Sequence, residues 1–446
     1  MIVMKFGGSS VRNAAMIRQV VTIARTRLEA APLLVSSAMG KTTDKLVLIA
    51  ERAEAGDRDA AFALIDSLEE HHRATAAELV AGDRGAGLTR ALDALFEELR
   101  SLTHGICLIR ECSARSRDAI LSFGERLSTL VIAAAARELG VDAELVDARA
   151  LIRTDDSFGS AGPDMETTSR LAREALRPRP GYLYVTQGFI GATGDGVTTT
   201  LGRGGSDYSA TILGASLGAE SVEIWTDVDG IMTSDPRIIP EARTLASISY
   251  DEAAELAYFG ARVVHPSTIV PAVAHSIPVW VKNTARPEER GTRIQADSEA
   301  RGIRAIASKS GVTLVTVQSS RMLNAYGFLH ALFSVFDRHR ISIDLVATSE
   351  VSVSMTIDGG VNTAPVISEL ESLGEVSVER EKSIICLVGR AMLQQAGLLA
   401  EVFAAVEPVP VRMISLGSSD VNLSIVVPEA EAARVLRALH ARLFPG

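Results

Sequence analysis

The run Lys5-Phe6-Gly7-Gly8-Ser9-Ser10, with Arg12 close behind, stands where a short apolar stretch gives way to a helical pattern. Glycines let the backbone approach a phosphate chain, amide groups at a helix start donate hydrogen bonds, and a lysine supplies a point charge. The lysine precedes the glycines, so this is not a P-loop, and an ordinary tight turn uses the same residues. A second concentration begins at Gly188, with Gly191, Gly194 and Gly196, and continues through Thr198, Thr199, Thr200, Gly202, Arg203, Gly204, Gly205, Ser206 and Asp207. A β-hairpin followed by a helix capped by Ser206 or Asp207 accounts for part of it. It gives no reason for Arg203 among glycines. A guanidinium framed by bare backbone is arranged to grip a carboxylate or phosphate in a fork.

Glu125, in Ser122-Phe123-Gly124-Glu125-Arg126, reads as standing at the head of a helix, where the dipole favours a carboxylate. Thr226, Asp227, Asp229 and Asp235 belong to an acid-rich loop after a strand, suited to ribose hydroxyls or a hydrated metal. An Asx-turn before Pro236 is the simple alternative for Asp235. His265, before Pro266, reads as a packing residue at a turn. No Ser/His/Asp order, no paired-histidine helix motif and no zinc-ligand spacing is found.

These residues need a scaffold. The chain has 446 residues, which at ~150 per domain predicts about three domains, or two if one is large. With 47% apolar and 22% charged residues the composition is that of a folded protein. Aromatic residues make up only 4%, against a base-stacking surface, and 45 basic against 55 acidic residues give a net charge of −10. Nucleic acid and anionic membrane are thus not expected as partners, and any anionic substrate must be met by a few local cations. Three cysteines, Cys107, Cys112 and Cys386, leave an odd thiol in any disulfide scheme, as expected of a reduced cytoplasmic protein. Residues 1–8 run from a strand into a turn without leader-like features, and no uninterrupted apolar run approaches the ~18 residues of a membrane span.

Residues 2–6, 33–36, 143–146, 182–187, 222–226 and 278–282 read as buried strands. Between them, 12–28, 44–54, 125–139, 165–176, 207–217 and 250–259 carry helical spacing, and 55–105 reads as an inserted helical hairpin. The alternation predicts an α/β fold, a three-layer, mostly parallel sheet covered on both faces. The polar stretch 285–294, continued by 295–300, reads as a linker. Beyond it, residues from Gly327 and from Gly397 align without gaps at an offset of 70 residues, each copy reading helix, strand, turn, strand. With strands at 312–317 and 384–388 and helices at 364–373 and 429–443, each copy becomes an α+β unit of the βαββαβ kind. The first copy ends in a strand at 375–379, whereas the second runs out of chain. An unfilled place in a four-stranded sheet leaves an open edge, so residues 303–307 are expected to return and fill it. The predicted divisions are 1–295, an inserted unit 308–381, and a second unit made of 301–307 with 382–446. Residues 303–307 joining the sheet that holds 312–317 would contradict that arrangement.

Taken together, Lys5 to Ser10, Ser122 to Arg126, Gln187 to Gly191, Thr198 to Tyr208, Trp225 to Gly230, Asp235 to Arg237 and Phe259 to Pro266 resemble the aspartate kinases of the amino acid kinase superfamily, across the whole chain and in order. The C-terminal repeat resembles their paired ACT domains, and Ser349-Glu350-Val351-Ser352-Val353 is most similar to the monofunctional, lysine-inhibited type. The resemblance implies transfer of the ATP γ-phosphoryl group to the side-chain carboxylate of L-aspartate, the first step toward lysine, threonine and methionine, with ATP and Mg²⁺ as cofactors. It implies that Lys5 contacts the transferring group, with Asp207 as a second catalytic residue, and that Gly7, Gly8 and Ser9 embrace the phosphates. Thr43, Glu125, Arg203, Gly204, Gly205 and Ser206 then hold aspartate. Thr226, Asp227, Met232, Arg237, Arg262 and Val263 fall to the nucleotide. Met232 stands where several relatives have an aromatic residue and Arg262 where lysine is common. The same resemblance makes Met322, Phe328, Leu329, Ser342, Ile343, Asp344, Ser349, Glu350 and Val351 candidates for an amino acid effector, expected to be L-lysine, although Ala325 replaces a hydroxyl of some relatives. The second copy has Ile414 opposite Asp344 and Asp420 opposite Glu350, so it is expected to bind effector poorly. A homodimer or dimer of dimers through the ACT domains is expected.

The chemistry agrees with these residue types. A carboxylate nucleophile is already ionised at pH 7 and needs no general base, only alignment and charge neutralisation. A fixed carboxylate opposite a fixed guanidinium reads the ammonium and α-carboxylate of a free amino acid. An N-acetylated substrate would leave Glu125 without a cation, which disfavours acetylglutamate kinase chemistry. Another phosphotransferase of the superfamily, or a non-catalytic amino acid sensor, are the competing readings.

Overall fold

The structure, a computed structural model, describes every residue except 261–263, 298–300, 324–325, 418 and 446. Contacts divide the chain into two units. The first comprises Met1–Ile231, Ala246–Tyr250 and Val263–Asp297, the second Met232–Leu245, Asp251–Arg262 and Ser298–Gly446. The expected block 1–295 is therefore interrupted, because 232–245 and 251–262 group with the C-terminal part.

In the first unit the elements run β1 (Val3–Phe6), α1 (Ala14–Arg25), β2 (Leu33–Ser36), α2 (Thr42–Glu54), α3 (Arg58–Leu79), α4 (Gly82–Ile109), α5 (Ala114–Glu138), β3 (Ala143–Val146), α6 (Ala148–Leu151), α7 (Met165–Ala175), β4 (Leu183–Gln187), β5 (Ile190–Ala192), β6 (Thr198–Thr200), α8 (Gly205–Leu217), β7 (Val222–Thr226), β8 (Ser247–Ser249), α9 (Tyr250–Tyr258, which runs on into the second unit), α10 (Pro266–Ala274), β9 (Val279–Asn283) and β10 (Thr292–Gln295). Eight strands form one sheet in the order β3-β4-β2-β1-β7-β9-β10-β8, parallel except where β9 meets β10. This is the covered, mostly parallel sheet that the alternation predicts. The stretch read as a linker is not one, since Thr292–Gln295 pairs with both β9 and β8. Its Thr292 and Ile294 are buried, a two-residue alternation too short to stand out among the charges of 285–294.

Strand alternation decides where the chemistry points. Met4 and Phe6 join the core that holds α1 and α5. Lys5 and Val3 take the opposite face, toward α8, whose Gly214 admits the sheet so closely that a Cβ there would stand 2.7 Å from Val222 Cγ2. Because β1, β2, β4 and β7 run parallel, the turns at Gly7, Ser37, Gly188 and Asp227 all leave the same edge of the sheet, where ligands of open α/β sheets bind. α5 is long and apolar enough to cross a membrane by length and composition, yet most of it is buried in this unit.

The second unit runs β11 (Gly302–Gln318), α11 (Phe328–Arg338), β12 (Ile343–Thr348), β13 (Ser352–Asp358), α12 (Ala364–Leu370), β14 (Glu375–Arg390), α13 (Leu398–Val406), β15 (Met413–Leu416), β16 (Asn422–Pro428) and α14 (Glu429–Leu443). The repeat is visible in detail: α11 and α13 each start at a left-handed glycine, Gly327 and Gly397. Residues 302–309 pair antiparallel with 384–390, and 312–318 pair with β13 and with 375–382. Both pairings occur because β11 and β14 are each continuous through the two copies. Residues 303–307 therefore join the sheet that holds 312–317, which contradicts the expected separate sheets: there is one antiparallel sheet, β12-β13-β11-β14-β16-β15, with one apolar core per copy.

Candidate active site

At the carboxyl ends of β1 and β2 lies a cavity of about 330 Å³ within the first unit. Lys5, Gly8, Thr43 and Glu125 line it together with residues 203–207, so the cation on the first strand and the guanidinium among glycines share one opening. Lys5 Nζ stands 2.6 Å from Asp207 Oδ1 as a largely buried ion pair. The contact is not aligned as a hydrogen bond, which leaves that carboxylate oxygen with unfilled acceptor capacity.

Glu125 does not head a helix. It is 3% exposed and lies in the middle of α5, because the helix is capped twelve residues earlier by Ser113, a signal that apolar spacing alone does not carry. Its Oε1 accepts from Ala38 N–H at 3.1 Å, and its Oε2 has no hydrogen-bond partner among the described residues. Burial pushes the carboxyl up to about 8, against the pull of the Ala38 amide and the Lys5 charge. A buried, unsatisfied acceptor facing a cavity is a place for a cation.

Arg203 stands at the apex of a turn closed by Gly205 N–H donating to Gly202 O at 3.0 Å. Gly202 and Gly204 have φ of 78° and 71°, left-handed values that bare backbone adopts without strain. Arg203 is exposed and has no ion pair among the described residues, so its fork is open to a ligand. Neither Ser206 nor Asp207 caps α8. Gly204 is its N-cap, with no side-chain cap, and Asp207 turns instead to Lys5. Gly205 is fixed by crowding: a Cβ there would stand 2.6 Å from Phe189 Cδ2. Gly8 is equally confined, 2.9 Å from Ala38 O. Of the other phosphate candidates, Gly7 spends its N–H on Trp225 O at 3.2 Å, and Ser9 lies in the single turn Gly8–Val11.

The nucleotide candidates are not gathered into this cavity. Thr226 ends β7 and Asp227 follows it, with Thr226 Oγ1 donating to Asp227 Oδ1 at 3.2 Å. Met232 and Arg237 belong to the second unit, and the Arg237 guanidinium is held by Asp235, 2.7 Å away. Asp235 forms the turn considered for it, accepting Arg237 N–H at 2.9 Å. Arg262 and Val263 lie outside the described residues. His265 is not a packing residue: it is exposed, N-cap of α10, with Nδ1 on Ser267 Oγ at 2.7 Å.

Among the effector candidates, Met322, Phe328 and Ile343 pack against the core of the first copy, and Leu329 follows in the first turn of α11, 40% exposed. Ser342 immediately precedes β12. Ser349, Glu350 and Val351 make the β12–β13 turn, fastened by Val351 O accepting from Ser319 N–H at 2.8 Å. Asp344 is already occupied: Lys309 Nζ lies 2.8 Å away and Tyr258 Oη donates to it at 2.7 Å. Ala325 is outside the described residues.

Sequence reasoning missed Ser37, Ala38, Gly40 and Phe189 in the cavity wall. The run Ser36-Ser37-Ala38-Met39-Gly40, leaving the end of β2, repeats the strand-to-glycine pattern of Lys5 to Ser10 and is the signal for three of them. No three-membered group of His, Cys, Asp or Glu suited to a metal occurs among the described residues.

A family model described as the amino acid kinase family matches residues 1–283, and another described as an ACT domain matches 385–443. The chain is 39% identical over 462 residues to lysine-sensitive aspartokinase 3 of Escherichia coli, with 99% of each covered. It is 40% identical over 465 residues to the chloroplastic aspartokinase 1 of Arabidopsis thaliana, covering 99% of this chain and 80% of that one. Among solved structures, E. coli aspartokinase III in complex with aspartate and ADP (R-state) aligns with a TM-score of 0.83 at 38% identity and full coverage of both chains. The same enzyme in complex with lysine and aspartate (T-state) gives 0.84 at 38% identity, covering 100% and 99%.

Proposed function

The chain belongs to the amino acid kinase family, and from that premise we infer an aspartokinase, which transfers the γ-phosphoryl group of ATP to the side-chain carboxylate of L-aspartate and is inhibited by lysine. The observation that carries the site assignment is the sharing of one cavity by Lys5, Glu125 and Arg203. Arg203 takes the α-carboxylate in its fork, Glu125 Oε2 takes the ammonium, and Thr43 and Ser206 border the same space. The side-chain carboxylate is left as nucleophile. One of its oxygens attacks the γ-phosphorus, the bond from phosphorus to the ADP oxygen breaks, and ADP leaves with the electron pair. Lys5 neutralises charge on the transferring group, with amide groups at the starts of α2 and α8 assisting. The donor set offers no protein-only cage and fits a Mg²⁺ ion that would arrive on the phosphates of ATP, with Asp207 in the cavity wall and Asp227 directly after β7 the acids that would face it.

Lysine binds the first C-terminal copy, where Asp344 and Glu350 offer carboxylates, while Ile414 in the second copy offers none. The protein assembles as a homodimer or dimer of dimers through these copies. Its three free thiols support a cytoplasmic placement. Hydroxamate formation from L-aspartate and ATP, with and without lysine and with threonine as control, tests the reading. Turnover of L-aspartate that millimolar lysine suppresses is the expected result, and no turnover of L-aspartate overturns the assignment.

A further inference from the structure

α5 carries a second buried acid, Asp118, seven residues before Glu125 and 1% exposed. At 1.5 Å per residue the two are about 10.5 Å apart along the axis and near the same face. Asp118 is not in the cavity wall. Its Oδ2 accepts from Gly159 N–H at 3.0 Å and from Thr200 N–H at 2.8 Å, and its Oδ1 accepts from Thr200 Oγ1 at 2.8 Å. These donors belong to the two chain segments that meet at Gly202, where a Cβ would stand 3.2 Å from Gly159 O. Thr200 ends β6 and lies three residues before Arg203. Ala161 N–H to Thr200 O and Leu201 N–H to Phe189 O, each at 2.9 Å, complete the fastening.

We propose that Asp118 is a positioning residue for aspartate recognition, clamping the Thr200–Gly205 turn so that Arg203 is held opposite Glu125. One rigid helix thereby sets both poles of the amino acid site: Glu125 directly, and the guanidinium through the clamp. A clamp is needed because the turn has glycine at 202, 204 and 205, and bare backbone that frames a guanidinium also lets it wander. A carboxylate suits the task since it accepts three hydrogen bonds at once, and charged acceptors bind donors about twice as strongly as neutral ones.

The inference rests on the assignment of Arg203 to the α-carboxylate, so wild-type turnover of L-aspartate is measured first, and its absence counts against that assignment rather than against the clamp. Steady-state kinetics with full-length Asp118→Ala, Asp118→Asn, Thr200→Val, Arg203→Ala and the Asp118→Ala/Arg203→Ala double variant then test the clamp. Asp118→Ala is expected to raise KM for L-aspartate about tenfold or more while KM for ATP stays within about twofold. Asp118→Asn, whose amide oxygen still accepts both N–H groups, is expected to remain within about threefold of wild type, with Thr200→Val between the two. Adding Asp118→Ala to Arg203→Ala is expected to change KM by less than about twofold, because a positioning residue has nothing left to position. A folded Asp118→Ala with unchanged aspartate KM, or multiplicative effects in the double variant, overturns the proposal. Should Asp118→Ala not fold, an unchanged aspartate KM in Thr200→Val overturns it equally.

Discussion

Aspartate binding should release a proton, and Glu125 is its source. The carboxyl sits inside α5 with one hydrogen bond, from Ala38 N–H, and a free oxygen. Burial raises it from 4.5 to about 8. With that value only about one Glu125 in ten is ionised in the free enzyme at pH 7. The ionised form pairs with an ammonium, so binding expels the proton. The apparent KM for aspartate then falls nearly tenfold per pH unit well below 8 and levels off above it, so that from pH 6 to 8 it falls about fiftyfold, or ~2.3 kcal/mol. Initial rates of ADP release at saturating ATP from pH 6 to 9 read the slope. Calorimetry in two buffers of different ionisation enthalpy reads the proton directly, at nearly one per aspartate bound at pH 7. A flat or rising KM over pH 6 to 8, or no buffer dependence of the heat, refutes the reasoning.

The same shift has a signature in stability. The folded value lies above the unfolded one, so between them the native state holds a proton that the unfolded chain has lost. Stability from this group therefore falls as pH rises from about 4.5 to about 8, by at most ~1.4 kcal/mol per unit. Glu125→Gln should match wild type in melting temperature near pH 5, exceed it at pH 8, and bind aspartate poorly throughout.

Three further outcomes follow from the geometry. Lys5→Ala should lower kcat by ~10² to 10³ with little change in aspartate KM, as loss of one preorganised donor does elsewhere, and near-normal turnover would remove Lys5 from the chemistry. Gly205→Ala puts a Cβ 2.6 Å from Phe189 Cδ2 and should lower stability by about 1–3 kcal/mol with a raised aspartate KM; an unchanged thermal midpoint counts against that packing. Lys309→Ala frees Asp344 of the ammonium that occupies it, and half-inhibition by lysine should then require a severalfold lower concentration; a higher one would mean that Lys309 assists the effector instead.

Unit 1 was legible in the sequence because its strands are buried on both faces and read as short, mostly apolar runs, as in β2 and, each interrupted by one charged residue, Lys5 or Glu223, in β1 and β7. β10 was not, since its two buried residues alternate with Arg293 and Gln295 in a charged neighbourhood. Lys5, Arg203 and Asp207 stood out because glycines surround them or a strand ends at them. Glu125 was found, but its environment was misjudged: Ser122-Phe123-Gly124 resembles a helix entry, whereas Gly124 is there for packing, with Ala38 Cβ 2.8 Å from where its own Cβ would be. Asp118 carried no local signal. Its partners lie 41 and 82 residues away, and only the folded chain brings them together. The joined sheet of the second unit was hidden for a related reason, because nothing in the sequence around 308–311 says that one strand passes through both copies.

The resting cavity divides its charges in a way that, with Arg203 and Glu125 in their proposed roles, favours an amino acid over a simple carboxylate as the acceptor. Lys5 lines the same cavity as Glu125 and its charge reaches that carboxyl, yet it is paired with Asp207 at 2.6 Å. Were Lys5 bonded to Glu125 instead, the acid would be satisfied internally, and a substrate ammonium would have to displace a covalently tethered one. With Lys5 held by Asp207 on the α8 side, Glu125 keeps an oxygen without a partner and Arg203 keeps its fork open. The cavity thus rests with one uncompensated guanidinium, a carboxyl poised to ionise and a neutral Lys5–Asp207 pair. On the proposed assignment an incoming α-carboxylate answers the guanidinium and an incoming ammonium draws the proton from Glu125, so both recognition charges would be matched before the nucleophile is engaged. A dicarboxylate without the ammonium leaves Glu125 protonated and its second oxygen unmatched, and a site built around buried polar groups rejects such analogues strongly for that reason.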